Sequence, residues 1–237
     1  MAEENIPELL YHTTLTVIDY HVDTSGSTRG VYVLGTHTTL ESAKAFSLTA
    51  LQGLGYEEDD FAEYKTRSKK PPADEGEGGG DWPYGDGVLV YAKAPAGQEF
   101  LVSIDTKPNT ENLPEDAAGG NHVLKLPQGF GHLHYVLQTK IDYNQDKSGA
   151  FQTTEIEGCY VRRADALSAA RAALAELDRE GFSQYDERDD EKEAGDWPFG
   201  DDVVVHAVAE TGENYSVCVR TVPGAHKRYK KKNGHST

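Results

Sequence analysis

The segment Asp81-Trp82-Pro83-Tyr84-Gly85-Asp86 returns later in the chain as Asp196-Trp197-Pro198-Phe199-Gly200-Asp201. A chain that repeats itself on this scale is expected to fold as two units of one kind. The likeness extends well beyond the hexapeptide. A spacing of 123 links Ile18-Asp19-Tyr20 to Ile141-Asp142-Tyr143, Ser25-Gly26 to Ser148-Gly149, and Gly35 to Gly158. It falls to 121 where residues 61–64 meet 182–185, and to 115 from Asp81 and Asp196 onward. Across positions 81–104, 11 of the 24 positions are identical in the second copy. The spacing changes beside acidic, glycine-containing stretches, where insertions cost little.

Each copy carries the same order of periodicities. Residues 15–20 and 137–143 are rich in β-branched and aromatic side chains and run into Ser-Gly turns. A second strand follows over 30–36 and 151–161, so each copy opens as a hairpin. Ala43, Phe46, Ala50 and Leu54 then fall at helical spacing, matched by Ala166, Ala169, Ala173 and Leu177. Thr38 and Glu41 have the spacing of a capping box, and Gly55 and Gly181 fit helix ends. A short extended segment follows at 61–64 and 182–185. Two alternating strands close each copy: Val88, Val90 and Ala92 share one face of the first and Phe100, Val102 and Ile104 one face of the second, and their counterparts are Val203, Val205, Ala207, Tyr215, Val217 and Val219.

The expected fold class is therefore α+β: two homologous β-β-α-(β)-β-β units, each an antiparallel sheet with one helix packed on a face. The expected boundaries are 8–107 for the first unit, 108–130 for an exposed linker, 131–222 for the second unit and 223–237 for a basic, disordered tail. Within the linker, Val123, Leu124 and Leu126 form an apolar patch suited to docking on a neighbouring sheet.

Charge narrows the partners. The net charge is −17, and the five bases after Val222 leave 18 bases against 40 acids in the rest, a body near −22. Such a field repels nucleic-acid phosphates and anionic membranes and favours solubility and basic partners. No apolar stretch is long enough to span a bilayer. Two cysteines, Cys159 and Cys218, make no disulfide framework. A reducing, cytoplasmic location is expected, or a nuclear one through the basic tail.

The candidate ligand-binding residues come first from the repeated corner: Trp82, Tyr84, Asp86, Trp197, Phe199 and Asp201. The same residues equally suit a structural corner, with indoles plugging each core and Pro, Gly and Asp shaping a turn. His134, at strand spacing from His132, and His206 add polar candidates. Metal ligation needs more donors at recognisable spacing than these supply, so no metal and no cofactor is expected. The chain has no Gly-x-Ser-x-Gly elbow and no phosphate-binding glycine loop; residues 76–80 are glycine-rich but acidic. The acidic runs Glu57-Glu58-Asp59-Asp60 and Asp186-Glu187-Arg188-Asp189-Asp190-Glu191 suit solvated loops or a surface for a basic partner. The expectation is a non-catalytic binding or scaffolding protein with a protein or small-molecule partner and no catalytic residues. The alternative is a small-molecule enzyme with its pocket between the two units. A buried, partly polar cavity at that junction would favour chemistry or a small ligand, and a flat charged surface would favour a macromolecular partner.

Overall fold

The structure, a computed structural model, describes residues 5–67, 82–116, 122–175, 177, 179–188 and 197–223. Asp81 and Asp196, the glycine-rich loop at 76–80, the acids at 189–191 and the basic tail beyond residue 223 lie outside the described residues.

Two five-stranded antiparallel sheets form the body. The first takes β1 (Leu9–Asp19), β2 (Arg29–His37), β3 (Glu63–Thr66), β4 (Val88–Lys93) and β5 (Gln98–Pro108), in the order β2-β1-β5-β4-β3. The second takes β6 (His134–Asp142), β7 (Gln152–Tyr160), β8 (Phe182–Glu187), β9 (Val203–Ala209) and β10 (Glu213–Arg220), in the order β7-β6-β10-β9-β8. Helix α1 (Leu40–Gly53) connects β2 to β3, and α2 (Arg163–Ala172) connects β7 to β8. The units thus share element order and strand order. They also share their irregularities. The β1–β2 ladder slips between Thr13 and Thr14, and the β6–β7 ladder slips at the corresponding Val136 and Leu137. Further slips fall where Val88 and Val90 pair with β5, and where Val217 and Cys218 pair with β9. Each bulge bends its strand and strengthens the sheet's twist.

Local chemistry sets the helix ends, with two corrections to the expected caps. Thr39 rather than Thr38 caps α1, its hydroxyl accepting from the Ser42 N–H at 3.3 Å. Thr38 is drawn away because its N–H and hydroxyl both donate to the His122 carbonyl. Gly55, at φ +98°, does end the α1 segment. Helix α2 is shorter than its periodicity implies. Its N-cap residue, Arg162, makes no side-chain cap bond, and Gly181 closes a separate 3-10 turn at Arg179–Gly181.

Apolar residues sort into three cores. Under α1, Leu15, Ala50, Leu51, Val90, Phe100 and Val102 pack together. Under α2, Val136, Ala166, Leu167, Leu174, Val205 and Val217 do the same. The third core lies between the sheets: Leu10 and Val33 of the first meet Leu137, Ile156, Cys159, Val203 and Cys218 of the second. The layers therefore run α1, first sheet, second sheet, α2. Each sheet is covered on both faces, by its helix and by the other sheet.

Residues 108–130 are anchored where they are described. The Asn109 amide donates to the carbonyls of Pro7 and Leu113 and accepts from the Leu113 N–H. Leu113 is buried in the inter-sheet core, with Leu124 and Leu126 against it. Isolated bridges join His37 to Val123 and Glu115 to Leu124.

Candidate functional site

The two repeated corners have nearly the same geometry. Trp82 meets Tyr84 edge-on at 4.9 Å, and Tyr84 stacks on Tyr91 at 3.9 Å and 12°. Trp197 meets Phe199 edge-on at 5.0 Å, and Phe199 stacks on His206 at 3.9 Å and 10°. Gly85 and Gly200 sit at φ +105° and +112°, where L side chains are strained. Each closes a turn by accepting from Val88 or Val203, both at 3.2 Å. Arg67 and Arg188, another matched pair, donate to the carbonyls of Asp86 and Asp201. The Asp86 side chain is fully exposed, 3.9 Å from Arg67. Backbone and rings therefore hold each corner, while the Asp86 carboxylate points to water.

The histidines are distributed between the units' features rather than gathered. His134 contacts His132 at 5.0 Å at the start of β6. His206 lies in the stack with Phe199, and burial pushes its pKa down against the opposing influence of Asp186. Among the described residues, no group of three or more His, Cys, Asp or Glu side chains is placed to hold a metal ion.

The face between the sheets brings together residues that the repeat alone does not single out. Arg29 on β2 donates from Nε to the Gly26 carbonyl at 2.8 Å and from Nη2 across the junction to Ala150 at 2.7 Å. Gln152 occupies the matched position on β7. Its Nε2 donates to Gly149 at 3.0 Å and back across the junction to Ser27 at 2.8 Å. The two units thus clasp each other reciprocally, as the subunits of a two-fold dimer do. Further junction bonds run from Arg220 Nη1 to the Val31 carbonyl, from the Ile156 N–H to Asp105, and from the Val161 N–H to Glu111.

Beside the Arg29–Gln152 clasp is a cavity of about 180 Å³. Its second-sheet wall has two rows. Thr154, Thr139 and Ser216 lie side by side on β7, β6 and β10, and Leu137, Cys218 and Val203 form the row beneath. Its first-sheet wall is the cross-strand pair Thr16 and Val31. Arg29, Gln152 and Arg220 complete the lining. The hydroxyls of Thr139 and Thr154 bond each other at 2.8 Å. Most lining side chains are half-buried, so the chamber is reachable from solvent. For scale, an apolar protein cavity of about 150 Å³ accepts benzene. The enclosed part of this chamber has room for a molecule of about that size.

Elsewhere in the junction lies a buried polar chain. His12 Nδ1 bonds the Thr36 hydroxyl at 2.8 Å, which bonds the Tyr135 hydroxyl of the other unit at 2.9 Å. His12 is wholly buried, and its pKa is pushed down to about 4, first by desolvation and then by Lys107 and His37. Burial likewise raises Tyr135. The thiols are subdued in the same way: burial pushes Cys159 up to about 12 and Cys218 up to about 11.

No family model matches the chain, and neither a curated protein nor a solved structure matches it. The residues the sequence reading singled out lie at the two corners and on β6 and β9, and none lines the cavity. The lining was missed because Thr16, Thr139 and Ser216 look like the solvent side of an alternating strand. One signal was available. Arg29 and Gln152 differ at a matched position where the surrounding turns are alike.

Proposed function

We propose that this chain is a non-catalytic binding protein, built from a duplicated α+β unit, that holds a small polar molecule between its two units. The observation that carries this reading is the cavity whose walls come from both sheets, mixing hydroxyls and guanidinium groups with Leu137, Val31 and Val203. A concave chamber where polar groups converge is the default candidate for a ligand site, and this one is at the small end. Binding is favoured over covalent chemistry because Cys218, the thiol in the lining, is held protonated with its pKa near 11. A thiol is nucleophilic as the thiolate, and burial suppresses that form.

The test is a titration of the isotope-labelled full chain with neutral, cationic and anionic molecules of about six to ten non-hydrogen atoms, a range set by the cavity's size. Amide shifts centred on Thr139, Thr154 and Ser216 are expected for at least one class. Thr139→Phe, which fills the chamber, is expected to abolish them. If no class moves these amides, or if Thr139→Phe binds as well as the parent, the reading is wrong.

A further inference from the structure

The chamber's charge specifies what it holds. Arg29 and Arg220 both line it, and no carboxylate does. Arg220 is neutralised from behind, its Nε donating to Asp202. Arg29 has no acidic partner among the described residues; its Nε and Nη2 are spent on two carbonyls, and Nη1 has no partner there. Counting the lining side chains and Asp202, two guanidinium groups stand against one carboxylate. This happens inside a chain of net charge −17, so composition does not account for it. An oxyanion accepting from a half-buried guanidinium forms charge-assisted bonds about twice as strong as neutral ones. The hydroxyl row of Thr154, Thr139 and Ser216 supplies further donors on the opposite wall.

We propose that the chamber binds a small oxyanion, a carboxylate or a phosphate, gripped by Arg29 and Arg220 and steadied by the hydroxyl row. This rests on the preceding reading of the cavity as a ligand site and names its ligand class.

The second unit supplies the decisive variant. Gln152 shows that glutamine at this place bonds both the neighbouring turn and the opposite unit, so Arg29→Gln removes the charge while keeping the clasp within reach. Thr154→Val, which installs the residue found at matched position 31, removes a hydroxyl with little change of shape. The probes are inorganic phosphate, succinate and, as a neutral molecule of similar size, glycerol, each followed by calorimetry and amide shifts. Phosphate or succinate is expected to bind and glycerol not to. Arg29→Gln is expected to weaken binding about 10- to 100-fold, the scale of hydrogen bonds to charged groups, and Thr154→Val to weaken it by a smaller factor. The stronger of the two anions identifies the chemistry. If neutral molecules shift the cavity amides while neither anion does, the oxyanion assignment falls and the ligand site stands. Equal anion affinity in the parent and both variants also overturns the assignment. If nothing of any charge reaches the cavity, both proposals fall.

Discussion

The buried histidine at the junction makes stability depend on pH in a calculable way. His12 has an ordinary pKa of 6.5 when unfolded and about 4 when folded. Because the folded-state value is lower, the unfolded chain binds more protons throughout the interval between them, and stability rises with pH there. The stabilisation is fully present above the unfolded value and is lost as pH falls toward the folded one. At 1.36 kcal/mol per pH unit, the whole interval is worth about 3 kcal/mol, and the step from pH 7 to pH 5 about 2 kcal/mol. The cause is that a charged imidazole here is desolvated between the sheets and faces Lys107 and His37, with the Tyr135 ring 5.7 Å away. The assay is urea unfolding at several pH values in that range, for the parent and for His12→Gln, whose amide can still bond Thr36. The parent is expected to lose about 2 kcal/mol more than the variant between pH 7 and pH 5. His206 is also held down by burial and acts alike in both proteins; His37 is held down too, and because His12 faces it, its share belongs to the coupled pair. Parallel stability curves for the two proteins would refute the assignment to His12.

Two further outcomes follow from the corners and the inter-sheet core. Gly85→Ala and Gly200→Ala should each cost about 1–3 kcal/mol in denaturant unfolding, because both glycines hold positive φ. Asp86→Ala should stay within about 0.5 kcal/mol, since that side chain is fully exposed; a comparable loss from it would mean the carboxylate, not the backbone, shapes the corner. Neither Cys159 nor Cys218 should react with a disulfide reagent at about pH 8 in the native chain, because both are buried and held as thiols. Both should react at once after unfolding, and rapid native labelling of Cys159, which lies outside the chamber lining, would contradict its burial.

Much of each unit was legible because its signals are local. Ser-Gly turns mark the hairpins, Ala43 and Ala50 mark the buried side of α1, and alternation from Phe100 to Ile104 marks β5. Cap identity was less so: Thr38 and Thr39 are adjacent hydroxyl residues, and only the distant His122 carbonyl decides between them. Packing of one sheet on the other was the main omission. The inner face carries His12, Thr14, Ser103 and Tyr135 rather than a row of aliphatic residues, and polar residues on one side of a strand imitate a wet surface. Thr14 and Ser103 satisfy each other through a 2.8 Å bond, and His12 Nδ1 and Tyr135 both bond Thr36, while His12 Nε2 is buried without a hydrogen-bond partner. The unbroken apolar run from Val88 to Ala92, buried throughout, was the available sign of cover on both faces. The cavity lies beyond local pattern altogether, since its walls come from strands more than a hundred residues apart.

The reciprocal clasp also frees the molecule from a restriction that binds pairs of identical subunits. Two separate copies related by a two-fold axis would present the same residue at both matched places, arginine with arginine or glutamine with glutamine. Joined in one polypeptide, position 29 keeps its guanidinium while position 152 does without, and Asp105 faces the opposite sheet where its counterpart is Arg220. A lopsided interior of this kind can hold a ligand in one orientation rather than two.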